Sequence, residues 1–104
     1  VSDASGIVVQ QIRVNYATNN VTTATWFELD SALDEHARHA EILDTGGATM
    51  KLGIGAASSE VDLVHVIPGG NGLIPLKLSK GQRLAVKAVS ANVTTGELTI
   101  NLHY

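Results

Sequence analysis

The sequence predicts an all-β fold: about eight short antiparallel strands wound as a jelly-roll-like β-sandwich, with an immunoglobulin-like sandwich as the alternative. Three observations predict it. Apolar and polar residues alternate over several short segments. Clusters rich in Gly, Asn, Ser and Thr punctuate the chain about every 13 residues. A helical pattern fits one short stretch only. Eight strands in one small domain place the jelly roll ahead, and the paired cysteines seen in antibody domains are missing.

The elements follow in order. From Ile7 to Tyr16, Ile12, Val14 and Tyr16 share one face while Arg13 and Asn15 share the other. Ala17-Thr18-Asn19-Asn20 is a turn cluster. Thr22 to Leu29 is rich in Thr and aromatic residues, which suit a pleated surface; Phe27 and Leu29 point one way, Trp26 and Glu28 the other. Ser31 to Thr45 is ambiguous. A short helix would have Asp30 or Ser31 as N-cap and Asp34 or Glu35 near the third position. The favoured reading is a loop or one helical turn over 30–36, then a strand from His39 with Ala40 and Ile42 opposite Glu41 and Leu43. Gly46-Gly47 ends it.

Met50 to Gly55 sets Met50, Leu52 and Ile54 on one side. Val61 to Ile67 is apolar on both faces, with Val61, Leu63 and Ile67 on one and Val64 and Val66 on the other. Such a strand is either central in its sheet or covered by a neighbour. Pro68-Gly69-Gly70-Asn71-Gly72 is a turn, Leu73 to Leu78 a strand, and Ser79 to Gln82 a second turn. Arg83 to Ser90 puts Leu84, Val86 and Ala88 on one face. Asn92 to Gly96 turns the chain again. Glu97 to His103 closes it, with Leu98, Ile100, Leu102 and Tyr104 inward. Asn-Val-Thr-Thr occurs twice, at Asn20 and at Asn92, and reads as shared turn chemistry rather than a repeat.

A length of 104 residues suits one domain, residues 1–104, with one core. The absence of cysteine excludes disulfides and thiol nucleophiles. A net charge of −3 argues against nucleic acid as a partner, because neutralising phosphates needs a basic surface. No apolar run approaches the roughly 20 residues of a membrane-spanning helix, so no membrane partner is expected. Val1 to Gly6 is polar without a basic region, so no targeting signal is expected there. Charged residues make up 16%, well below the usual ~25%, which suits a subunit that hides surface in an assembly. Six of the ten acids lie in 28–44 and four of the seven bases in 77–87. They form either two solvated faces or a head-to-tail complement between copies.

Chemical motifs are sparse. His36-x-x-His39 would place two imidazoles on one helical face, with Glu35 or Glu41 adding an oxygen and His65 or His103 arriving from elsewhere. Exposed loop histidines are commoner, and no bound metal or cofactor is expected. Ser58-Ser59 lacks a nucleophile motif. Glu28, Asp30 and Asp34 offer carboxylates for sugar hydrolysis, but aromatics at 4% give few stacking platforms. Gly53-Ile54-Gly55-Ala56-Ala57-Ser58 mimics a dinucleotide fingerprint without the βαβ unit it needs. Asn20 and Asn92 begin incidental glycosylation patterns. No catalytic residue is assigned and the chain is not expected to be an enzyme. An outward Trp26 is a natural interface anchor, with sugar stacking as the alternative. The expected interface residues are Trp26, Val64 and Val66.

Several segments together carry a resemblance: Ile67-Pro68-Gly69-Gly70-Asn71-Gly72, Leu76-x-Leu78, the run from Gly81 to Ser90, and Gly96-Glu97-Leu98-Thr99-Ile100-Asn101-Leu102. Arg13-Val14-Asn15-Tyr16 and Ser59-Glu60-Val61-Asp62 fit it too. The chain resembles small β-rich virion structural proteins of tailed bacteriophages. The resemblance implies a head decoration, or cement, protein on the outer surface of the capsid, made in the host cytoplasm. It implies the major capsid protein as partner and a homo-oligomer, a trimer ahead of a dimer. A carbohydrate-binding or host-recognition module of a fibre or tail is the rival reading.

Overall fold

Two four-stranded sheets face each other across one core in the computed structural model, which describes residues 7–69 and 71–104. Val1 to Gly6 and Gly70, where the sequence places a polar start without a basic region and part of a turn, lie outside the described residues. The strands are β1 (Val8–Asn15), β2 (Phe27–Asp30), β3 (Ala37–Asp44), β4 (Met50–Ile54), β5 (Val61–Val66), β6 (Gly72–Leu78), β7 (Leu84–Ala88) and β8 (Glu97–His103). One sheet has the order β1-β8-β3-β6, the other β2-β7-β4-β5, and every pairing is antiparallel. Only β4 and β5 are neighbours both in sequence and in a sheet; all other connections cross between sheets. This is jelly-roll winding. It excludes the immunoglobulin-like alternative, whose consecutive strands pair within their sheets.

The alternation read from the sequence sets the inner faces. Ile12, Val14, Tyr16, Ile42, Met50, Leu52, Leu84, Val86, Leu98, Ile100 and Leu102 all lie in the core. Pro75 falls on β6, an edge strand, where its missing N–H leaves no internal ladder unpaired. β5 is also an edge strand. Its two apolar faces therefore do not reflect a central position: Val66 and Val64 turn inward, and Val61 stands 62% exposed.

Three stretches differ from the sequence reading. The strand expected from Thr22 begins only at Phe27, because Thr22 Oγ1 accepts from the Thr25 N–H at 3.3 Å and bends the chain. Residues 31–36 form a loop, one of the two forms expected there, without a helical turn, and the difference lies in where the next strand starts. Asp30 Oδ1 accepts from the Ala32 N–H at 3.0 Å, and buried Leu33 bonds Gln82 and Gly81 through its backbone at 2.8 Å each. That anchor lets β3 start at Ala37, two residues before His39. Tyr104, expected inward, is 42% exposed, with Arg38 5.1 Å above its ring.

One end of the sandwich is closed by the two Asn-Val-Thr-Thr segments. Val21 and Val93 are buried and exchange backbone bonds at 3.0 and 2.8 Å, and Asn92 Oδ1 accepts from the Thr23 N–H at 3.0 Å. Beside them, Gly96 has φ +96°, and a Cβ there would meet Thr45 O at 2.5 Å. Only glycine fits both demands. Below it, the Tyr16 hydroxyl donates to Asp44 Oδ1 at 2.7 Å, joining the ends of β1 and β3 inside the core.

Candidate functional site

The outer face of the second sheet carries the candidate site, centred on Trp26. The residue precedes β2, so its side chain follows the outward parity of Glu28. The indole lies across β4 over Gly53, the one position there with no side chain in its way. A Cβ on Gly53 would come within 2.6 Å of Trp26 Cη2 and 2.8 Å of Cζ3. Glycine in the strand thus makes room for a close approach. Lys51 and Lys87, on β4 and β7, place their ammonium groups 5.4 and 6.0 Å from the indole centroid. Both lie within the range of cation–π attraction. Lys51 is also held by Asp62 of β5 at 3.2 Å. The indole is half-buried, seated against the sheet and presented at the surface.

Arg83 builds the floor beside it. Its Nε donates to Glu28 Oε1 at 2.8 Å, and its Nη1 donates to Glu60 Oε2 at 2.9 Å and to Gly55 O at 3.1 Å. The guanidinium thereby ties β2, β7 and the β4–β5 loop together. Burial pushes the Glu60 carboxyl up, but backbone N–H groups of Glu60 and Ser58 together with Arg83 outweigh it, and its pKa is lowered. The Glu28 bond raises the Arg83 pKa against the opposing effect of burial, with Glu60 adding to the rise. Thr25, Trp26, Ser58, Glu60 and Arg83 line an open hollow of about 270 Å³. It is too small and open to enclose a drug-sized ligand.

Of the residues expected at an interface, only Trp26 is placed to reach a partner. Val66 is fully buried, and Val64 packs against the core, so this face of β5 is covered by its own sandwich. The parity of an edge strand packed on one side looks the same in sequence as an apolar interface. The acidic and basic segments meet within one chain: β2 pairs with β7 and Arg83 binds Glu28. Sequence reasoning passed over Arg83, Glu60 and Gly53. Gly53 had a signal, an isolated glycine inside an alternating strand, which marks close approach.

The remaining motifs disperse. His36 Nδ1 accepts from the Lys80 N–H at 3.1 Å, while His39 lies on β3 facing another strand, so the two do not converge. Among the described residues, no group of three or more His, Asp or Glu side chains is placed to hold a metal ion. Ser58 has a left-handed φ of 69° in the β4–β5 loop. Asp30 bonds Gln10 and the Ala32 N–H.

No family model matches this sequence, and no curated protein matches it. A solved structure described as the crystal structure of PirA aligns with 99% of this chain and 96% of that one, at 15% identity and a TM-score of 0.45. A likeness at that level bears on neither the winding described above nor the function.

Proposed function

We propose that the chain is a non-enzymatic structural subunit of a tailed-phage virion, a decoration protein that sits on the outer capsid surface and bridges copies of the major capsid protein. The observation that carries the reading is Trp26, a large aromatic seated over Gly53 on the outside of a sheet and not part of the core. A rigid aromatic held at a surface by its own scaffold is what interface anchors look like. The sequence resemblance supplies the virion. The jelly roll supports a rigid module whose two outer faces are free for contacts.

Self-association is part of the proposal, as a trimer ahead of a dimer. It rests on the resemblance and on the half-exposed Val8, Leu43 and Leu73, which share the outer face of the first sheet. Many copies then multiply a modest contact into firm attachment.

The test adds purified protein to heads of the parent phage stripped of it. Wild type is expected to co-sediment, and Trp26→Ala to bind about 30-fold more weakly, the equivalent of about 2 kcal/mol. Equal binding by the variant would remove the anchor, and no binding by wild type would remove the decoration role. A second reading is favoured by the hollow, where Trp26 adjoins Ser58, Glu60 and Arg83: a carbohydrate-binding module of a fibre or tail. Binding of the isolated chain to a glycan array, abolished by Trp26→Ala, would select it.

A further inference from the structure

The outer face of the first sheet brings together two histidines 64 positions apart in sequence. His39 on β3 and His103 on β8 are direct partners in an antiparallel register that runs unshifted from there to Asp44 and Leu98. Both lie on the outer face, because the next pair, Ala40 and Leu102, is fully buried in the core. Directly opposed residues hold their Cβ atoms about 4.5–5.5 Å apart, so the two imidazoles are neighbours. His39 Nδ1 and both ring nitrogens of His103 are closed to solvent and meet no hydrogen-bond partner among the described residues. Buried polar atoms are nearly always paired, since an unpaired one keeps its whole desolvation cost.

The surroundings offer these nitrogens little else. Val8 stands opposite His103 on β1, and Pro75 stands opposite His39 on β6. The nearest polar row, two residues along β3, is occupied with itself: Gln11 Nε2 donates to Asn101 Oδ1 at 2.8 Å, and Asn101 Nδ2 donates to Glu41 Oε1 at 3.1 Å. That row leaves one carboxylate on the same face to offset added positive charge. Paired imidazoles against apolar flanks are a donor set for late first-row divalent ions.

We propose that His39 and His103 form a two-histidine site for a divalent transition ion of the zinc class. One nitrogen of each ring, turned out of its closed position, binds the ion, and water completes the shell. The site is distinct from His36-x-x-His39, because His36 is committed to the β6–β7 turn through the Lys80 N–H. It does not depend on the virion role.

The experiment titrates zinc chloride into the full-length chain by calorimetry. One ion per chain is expected, with His103→Gln and His39→Asn each lowering the affinity tenfold or more, while His36→Gln and His65→Gln retain it. Absence of zinc binding by the folded wild type would overturn the proposal, as would unchanged affinity in His103→Gln or an equal loss in His36→Gln. Nickel titration of the wild type followed by NMR needs no variant. Broadening should begin at the His39 and His103 ring signals, and broadening that begins at His36 or His65 would refute the site.

Discussion

Replacing Tyr16 by Phe should destabilise the fold through one hydrogen bond while leaving the packing in place. Tyr16 is fully buried at the end of β1, and its hydroxyl donates to Asp44 Oδ1 at 2.7 Å. Asp44 is 1% exposed, its Oδ1 accepts a second bond from the Gly46 N–H at 2.9 Å, and its Oδ2 is buried without a partner among the described residues. The carboxylate therefore has few donors to lose. Phe keeps the ring against the core, so the change isolates the hydroxyl. A hydrogen bond to a charged group contributes about 1.5–3 kcal/mol, and the acceptor left behind cannot reach water, so the loss should be about 2 kcal/mol. An unfolding entropy of about 2.1 cal/mol/K per residue gives about 0.22 kcal/mol/K for 104 residues, hence a fall in Tm of roughly 9 °C.

Chemical denaturation with a linear extrapolation measures the loss, and a calorimetric scan measures Tm. A second readout is alkaline pH. Burial raises the Tyr16 pKa far above the usual phenol range, and the bond and charge of Asp44 raise it further. A folded-state pKa raised in this way means stability that is complete below about pH 10 and declines as the unfolded chain ionises above it. Wild type should lose stability in that range faster than Tyr16→Phe. A loss below about 0.5 kcal/mol, at the level of an ordinary surface change, together with parallel alkaline profiles, would refute the reasoning.

Gly53→Ala should lift the indole off the sheet rather than unfold the protein, because the atoms met at 2.6 and 2.8 Å are the far end of the Trp26 side chain; a red-shifted tryptophan emission with retained far-ultraviolet dichroism checks this. Glu60→Gln should cost stability at neutral pH and nothing at low pH. The Glu60 carboxyl titrates below its ordinary value in the folded chain, so its contribution is present above that value and lost as pH falls through the lowered one; melting curves of both proteins from pH 7 to pH 2 should converge on acidification. Leu43→Lys together with Leu73→Lys should leave the fold intact, since both side chains are about half exposed, and should shift the sedimentation of any oligomer closed through the first sheet towards monomer; an unchanged distribution would place the self-contact elsewhere.

Local physics made the strands legible. Alternation at Ile12-Val14-Tyr16, Leu84-Val86-Ala88 and Leu98-Ile100-Leu102 marks residues that one sheet face must bury, and burial follows from side-chain period alone. Turn chemistry was legible for the same reason: Asn71 bonds the backbone of Ile67 twice at 3.1 Å, as a short amide does in any tight turn. Trp26 could be placed outward by parity with Phe27 and Leu29. What alternation cannot state is which strand lies beside which. Val64 and Val66 read as a second apolar surface until the sandwich supplied the core that covers them. The two Asn-Val-Thr-Thr segments looked like similar turns, but pairing of Val21 with Val93 makes them two halves of one closure. His39 had a sequence neighbour in His36, yet its spatial neighbour is His103, because β8 returns beside β3 only after every other strand has been laid down. Register over such separations is decided by the closing of the two sheets around a shared core, a long-range outcome that no local window contains.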